Sequence, residues 1–243
     1  MMTLHTRIST FSSEQEVVVL WRTGTKNKGA IKVDVRQYKE DATIIAELVA
    51  IRTLLYVQQV FDRAPSSGQG YRLVVSKGAI KKLAQGRSNK RHCLPFAEFL
   101  RARMEEADIV VSHDMEYMNS INIGEAKTIS PDESHREKHD RIETPAMGQV
   151  YLTRHAVMQY QERISSGKPL NPWASLTQRL MNAELKQQEI PARILRHKTL
   201  KFGRADNIEA WSHPTSKFIY LVVNEDGRRT VVTVFERRAQ HRA

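Results

Sequence analysis

The side chains best suited to chemistry fall in four places along the chain. Two windows carry cations and no acid. From Arg63 to Ala97 there are eight Lys and Arg residues, including Lys77, Lys81, Lys82, Arg87, Lys90 and Arg91. From Ile190 to Ala205 there are five, Arg193, Arg196, Lys198, Lys201 and Arg204, with His197 among them. Phosphate is the partner such stretches suit, because each neutralised phosphate releases condensed counterions. A merely soluble basic surface is the plainer alternative. The third place is LTRHAVMQYQERI, Leu152 to Ile164. On a helix, His155, Gln159 and Glu162 lie within about 60° of one another, with Arg163 on the border and Ala156, Val157, Tyr160 and Ile164 opposite. His155 is thereby available for proton transfer or for capping near the helix start. The fourth is Glu47, which on a helix shares a mostly apolar face with Ile51, Leu54 and Gln58. Its carboxylate is expected to be partly buried and paired. His135 and His139 have the i, i+4 spacing of a metal pair, but no third ligand accompanies them, so a solvated polar face is expected.

Elements that would position these groups follow from periodicity and turn signals. Thr3–Thr10, Glu16–Arg22 and Ala30–Lys39 are β-branched or alternating runs divided by SSEQ and GTKNKG, and predict three successive strands. Thr43–Phe61 is a long apolar run and predicts a buried helix. Arg72–Ser76 predicts a strand, Lys77–Gly86 a helix closing on Gly86, Pro95–Glu106 a further helix and Asp108–Ser112 a fifth strand. Lys127 to Gln149 has two prolines, mixed charges and no apolar periodicity, and reads as a linker. Beyond it, helices are predicted over Thr153–Ile164 and Trp173–Gln188. Strands follow over Leu200–Phe202, Ile208–His213, Phe218–Asn224 and Thr230–Arg237, with EDGR at 225–228 as a hairpin signal. Tyr160, Trp173 and Trp211 are expected in the core, and FERR is expected to leave Arg237 and Arg238 on a solvated edge.

Length and composition bound the reading. The chain has 243 residues, 40% hydrophobic and 27% charged, with a formal charge of +11 and one cysteine, Cys93. That length suits one large or two small domains with a core of their own. A lone cysteine excludes a disulfide framework and any multi-cysteine zinc site, and fits a reducing cytoplasm. No apolar run approaches the roughly 20 residues of a membrane helix, and Met1 to Thr10 lacks a signal-peptide core. Residues 1–125 carry a net charge of +4, 126–149 of −1 and 150–243 of +8. The excess is therefore concentrated in the last segment. The expected organisation is a domain over 1–125, a linker over 126–149 and a basic domain over 150–243, giving an α/β plus α+β chain. An anionic partner is expected; no cofactor or metal is.

The order β-β-β-α-β-α-α-β over the first segment resembles the RNase H-like fold, a mixed sheet with flanking helices. TIIAELVAI, Thr43 to Ile51, is similar to that family's first helix, whose catalytic acid would here be Glu47. YRLVVSKGAIKKLAQG, Tyr71 to Gly86, is similar to its fourth strand and following helix, and ADIVVSHD, Ala107 to Asp114, to its fifth strand. The resemblance implies clustered carboxylates holding two metal ions about 4 Å apart around a phosphodiester. Here TLHTRIST has no acid where the family has Asp, and Ser76-Lys77 stands where it has Asp-Ser. Glu47 alone matches cleanly, with Glu125 a loose stand-in for the last acid. A binding platform without two-metal hydrolysis is the expectation, with Lys77, Lys81 and Lys82 as a phosphate-binding edge and Glu47 as a residual acid.

Residues 150–243 resemble small ribonucleases of the RelE, BrnT and barnase type, on LTRHAVMQYQERI, FIYLVVNEDG and TVVTVFERR. That resemblance implies short helices before a curved antiparallel sheet, and RNA cleavage without metal. Such cleavage needs a base for the ribose 2′-hydroxyl, cations for the phosphorane and an acid for the leaving oxygen. His155 can serve as base or acid, Arg163 and Arg204 as the phosphate clamp, and His197 or His213 as the second proton-transfer group. Competing structural roles are a helix-start hydrogen bond for His155, pairing with Glu162 for Arg163, and a turn role for His213 before Pro214. The resulting expectation is RNA or single-stranded nucleic-acid binding, with possible metal-independent ribonuclease activity in the C-terminal module. The alternative is a phage- or plasmid-type interaction factor that binds a host polymerase or ribosome-associated complex.

Overall fold

The computed structural model describes residues 1–65, 67–113, 120–164, 172–190, 195–196, 200 and 206–237. Two compact units divide the chain, Met1–Lys138 and His139–Ala243. Each has its own mixed sheet, so the chain is an α/β plus α+β protein. Among the described residues no helix is long and apolar enough to cross a membrane.

In the first unit, β1 (Met2–Ile8), β2 (Glu16–Arg22) and β3 (Lys28–Asp34) form an antiparallel meander. The chain then enters α1 (Ala42–Arg52) and a π-helical turn over Thr53–Val57. It returns as β4 (Tyr71–Val75), parallel to β1, with Leu4 opposite Leu73. After α2 (Gly78–Ala84) and α3 (Leu94–Arg101), β5 (Asp108–Val111) adds in parallel to β4. The sheet order is β5-β4-β1-β2-β3-β6, where β6 is Lys127–Ile129. Helix α1 is buried on all sides, every residue from Ile44 to Ile51 being shielded from solvent. A helix apolar all round belongs inside a core, and α1 packs between the sheet and the other two helices. That position buries Glu47 whichever way its face turns.

The second unit begins with β7 (Asp140–Thr144) and β8 (Gly148–Leu152), a hairpin turning through Gly148 at φ 67°. Then come α4 (Arg154–Arg163), α5 (Pro172–Leu180), β9 (Lys186–Gln188), β10 (Ile208–Ser212), β11 (Phe218–Glu225) and β12 (Arg228–Glu236). Thr153 caps α4, its hydroxyl accepting from the Ala156 N–H at 3.1 Å, an interaction typically worth about 1 kcal/mol. Asp226 and Gly227 both take positive φ, 51° and 84°, as the tight β11–β12 hairpin requires. Tyr160 and Trp173 are buried and Trp211 packs against the same core, as expected.

Several boundaries differ from the sequence reading, each for a tertiary reason. The segment 126–149 is no linker. Its β6 pairs with β3, its β7 and β8 pair with each other, and a 3-10 turn over Glu133–Arg136 lies between them. Strands β6 and β7 are short, half-exposed sheet edges, so pairing stabilises them without an apolar pattern, while β8 lies inside the sheet and buries Val150, Tyr151 and Leu152. The sheet of the second unit is not wholly antiparallel, because β8, which feeds α4, pairs in parallel with β12. The helix expected over Trp173–Gln188 ends at Leu180, and Lys186–Gln188 instead pairs with β10 as β9. The α-helix begun near Thr43 ends at Arg52, and Gln59 and Asp62 take positive φ just beyond the π turn. Of the strand expected over Leu200–Phe202, Leu200 is exposed and not in a strand, and Lys201 and Phe202 lie outside the described residues.

Candidate nucleic-acid interface

The two residues flanking Glu47 come from strands distant in sequence. Thr6 on β1 donates its hydroxyl hydrogen to Glu47 Oε1 at 2.8 Å. The Ser76 backbone N–H, just past β4, donates to the same oxygen at 2.7 Å, and the Ser76 hydroxyl donates to Oε2. Glu47 is 0% exposed and Thr6 and Ser76 are each 4% exposed. Burial pushes the Glu47 carboxyl above its usual range, against the opposing pull of Ser76, Thr6 and the charge of Arg7. The expected partial burial and ion pairing of Glu47 are thus replaced by full burial and hydroxyl and amide donors. Arg7 bridges β1 to the end of β5, its Nη1 donating to the Ser112 carbonyl at 2.8 Å.

This donor set does not fit a pair of metal ions. One carboxylate is present, both of its oxygens already accept hydrogen bonds, and the strand positions beside it supply hydroxyls. Among the described residues no group of three metal-ligating side chains gathers around Glu47. Glu125 is exposed and accepts from Asn122 at 3.1 Å; Asp114 lies outside the described residues.

Immediately after Ser76 the surface turns basic. Lys77, Lys81, Lys82, Arg87 and Arg91 are all exposed. Helix α2 buries Ile80 and Leu83, which leaves Lys81 and Lys82 outward in its last turn, where the helix dipole favours cations. None of these five has a carboxylate within 4.0 Å among the described residues. Lys90 differs: its ammonium sits on both oxygens of Asp41, at 2.7 and 2.8 Å. It is a structural ion pair rather than part of a free edge.

In the second unit the two described members of the expected catalytic group, His155 and Arg163, lie apart. His155 is exposed in the first turn of α4 and Arg163 closes its last. Eight residues at 1.5 Å each separate them by about 12 Å along the axis. Arg163 folds back, its Nη1 donating to the Gln159 carbonyl at 3.0 Å, with Glu162 3.7 Å away. Arg196 is exposed; His197, Arg193, Lys198, Lys201 and Arg204 lie outside the described residues. Arg237 is exposed, as expected. It ties down the turn after β10 by donating to Ser212 Oγ at 2.9 Å and the Pro214 carbonyl at 3.3 Å. Arg238 is outside the described residues.

The structure instead gathers a different set around a cleft of about 340 Å³, lined by Arg179, Asn182, His213, Lys217, Phe218 and Tyr220 among others. Arg179 Nε donates to the Tyr160 hydroxyl at 2.8 Å, and that hydroxyl also bonds Ser175 at 2.7 Å. The guanidinium lies 5.1 Å from the Phe218 ring centroid, a cation–π distance. Its terminal nitrogens have no hydrogen-bond partner among the described residues. The Thr215 N–H donates to His213 Nδ1 at 3.2 Å, and His213 Nε2 lies 2.7 Å from Glu184 Oε2. Lys217 pairs with Glu236 at 2.8 Å. Burial pushes the Tyr220 hydroxyl up to about 12, so it stays protonated. His213 was visible as a candidate in the sequence. Arg179 was not, because nothing local marks a residue 19 positions from Tyr160 as its partner. Comparison with known protein families, with characterised proteins and with solved structures finds no match to this chain.

Proposed function

We propose that the protein binds RNA or other single-stranded nucleic acid, and that its first unit is an RNase H-like platform without two-metal chemistry. The strand order and directions support the fold reading: a three-strand antiparallel meander, extended from the free edge of β1 by two parallel strands, is the sheet that fold is built on. The Glu47 network supports the loss of hydrolysis, since hydroxyls stand where acids are required. One observation carries the binding reading. Five exposed cations, Lys77 to Arg91, run without a carboxylate partner among the described residues along one acid-free stretch beside β4.

Fluorescence anisotropy with a labelled single-stranded RNA, titrated across salt concentrations, tests it. Each phosphate contact contributes about 0.7 to the log–log salt slope of a single strand. Lys77→Ala, Lys81→Ala and Lys82→Ala together should therefore lower the slope by about 2 and weaken binding uniformly across sequences. An unchanged slope overturns the assignment of this edge. Binding of a protein partner with little salt dependence would favour the interaction-factor reading instead.

A second reading, metal-free RNA cleavage by the second unit, is favoured by the Arg179–His213–Lys217 cleft. That cleft brings together the Arg179 guanidinium, whose terminal nitrogens have no partner among the described residues, and the His213 imidazole. RNA incubated with the protein in excess EDTA distinguishes the candidates. Cleavage lost in His213→Ala but kept in His155→Ala assigns the chemistry to this cleft, and the reverse assigns it to α4.

A further inference from the structure

Beside the end of the basic stretch, three different metal-ligating side chains meet at the start of α1. Asp41, His92 and Cys93 each offer a donor atom, and all three donors lie within 4.8 Å of one another. They are brought together from 51 and 52 positions apart by packing of the 3-10 turn Arg91–Cys93 against the N-terminus of α1. Asp41 occupies the N-cap position but makes no side-chain cap hydrogen bond to its helix. Its backbone is held at φ 52° and ψ 26°, a left-handed conformation that non-glycine residues adopt seldom. The carboxylate is turned instead toward His92 Nε2, 3.0 Å away, and toward the Lys90 ammonium. The place where the three donors converge already attracts a cation.

We propose that Asp41, His92 and Cys93 form a binding site for one zinc-class divalent ion, for which Lys90 is a built-in competitor. A thiolate, an imidazole and a carboxylate are the donors a borderline-soft ion takes, and they are poor ligands for magnesium, which demands an all-oxygen octahedron. Three protein ligands leave a fourth tetrahedral position for water. Donor separations of up to 4.8 Å must close by roughly 1 Å for metal–ligand bonds of about 2.0–2.3 Å. His92 and Lys90 are both partly exposed, at 41% and 35%, so their side chains have room for that adjustment. On binding, Cys93 gives up its thiol proton to solvent, the His92 ring proton moves by way of solvent from Nε2 to Nδ1 so that the Nε2 lone pair replaces the contact with Asp41, and the Lys90 ammonium swings away. The bound ion clips the segment carrying Arg87 and Arg91 to the first turn of α1. This site does not depend on the nucleic-acid reading.

Cobalt titration of the whole protein, stripped of metal and kept reduced, provides the test. The expected result is one ion per chain, with a near-ultraviolet sulfur-to-cobalt charge-transfer band and visible bands of tetrahedral intensity, both displaced by zinc and untouched by excess magnesium. Cys93→Ser removes the charge-transfer band. Lys90→Met, at a partly exposed position whose loss leaves the core intact, tightens binding about fivefold, the equivalent of one surface ion pair. If wild type and Lys90→Met both bind no cobalt at micromolar concentration, or if Lys90→Met binds more weakly than wild type, the proposal fails. A charge-transfer band surviving in Cys93→Ser also overturns it, because Cys93 is the only thiol in the chain.

Discussion

Each unit holds one conspicuous ionisable side chain by hydroxyl groups, with opposite consequences. In the first, Glu47 is buried and both of its oxygens accept hydrogen bonds, from Thr6 and twice from Ser76. In the second, Arg179 is exposed and anchored through one nitrogen to Tyr160, with its terminal nitrogens without partners among the described residues. A group whose hydrogen-bonding capacity is spent inside a core specifies structure. A group fixed at one atom and free at others is prepared for a ligand, because its ordering cost has been met before binding. The contrast teaches that charge alone does not locate function; the unused donors or acceptors do.

The largest expected effect comes from emptying the buried site. Glu47→Ala leaves the Ser76 amide and two hydroxyls without their acceptor, and should destabilise the first unit by about 2–4 kcal/mol. Hydrogen exchange mapped to β1 and β4 would show faster opening there and unchanged protection in β11 and β12. Equal loss in both units would break the comparison.

Glu47 also makes a pH prediction. Burial raises its folded-state pKa above the ordinary 4.5, so the fold favours the protonated form. The stability this provides is complete below the unfolded value and is lost as pH rises through the higher folded value. Glu47→Gln, which retains the shape and cannot ionise, should flatten that decline, so that its urea midpoint exceeds that of wild type increasingly toward neutral pH. A wild-type midpoint that climbs over the same range contradicts the assignment.

In the second unit Tyr160→Phe should cost about 1–2 kcal/mol, because it removes the shared partner of Arg179 and Ser175 while preserving the ring packed on Phe218. Arg179→Met should change stability by less than about 1 kcal/mol yet lower RNA affinity, with a salt slope smaller by about 0.7. If Arg179→Met binds RNA as wild type does, the cleft is not a phosphate site. Smallest of all, Lys81→Ala should leave stability within about 0.5 kcal/mol of wild type, since the side chain is exposed and has no carboxylate partner among the described residues.

Much of this arrangement was legible without a structure, and the exceptions have common causes. Strands β2, β11 and β12 and helix α4 follow from alternation, period and the Asp226-Gly227 turn, all of which act over a few residues. Strands β6, β7 and β9 carry no such pattern; they are polar edges that exist because a neighbouring strand offers hydrogen bonds. The exposed basic stretch from Lys77 to Arg91 was visible as an acid-free run. That Lys90 belongs to Asp41 was not, since the pair is separated by 49 residues.

The amino-acid sequence by itself determined the cationic windows and the apolar helix that must be buried. Only the tertiary structure decided that Thr6 and Ser76 meet at Glu47, that Arg179 rests on Tyr160, and that Asp41, His92 and Cys93 converge. The reason is physical. Periodicity and turn chemistry are local properties, whereas saturation of a buried carboxylate, exposure of a guanidinium and the meeting of three ligands depend on which distant strands and helices pack side by side.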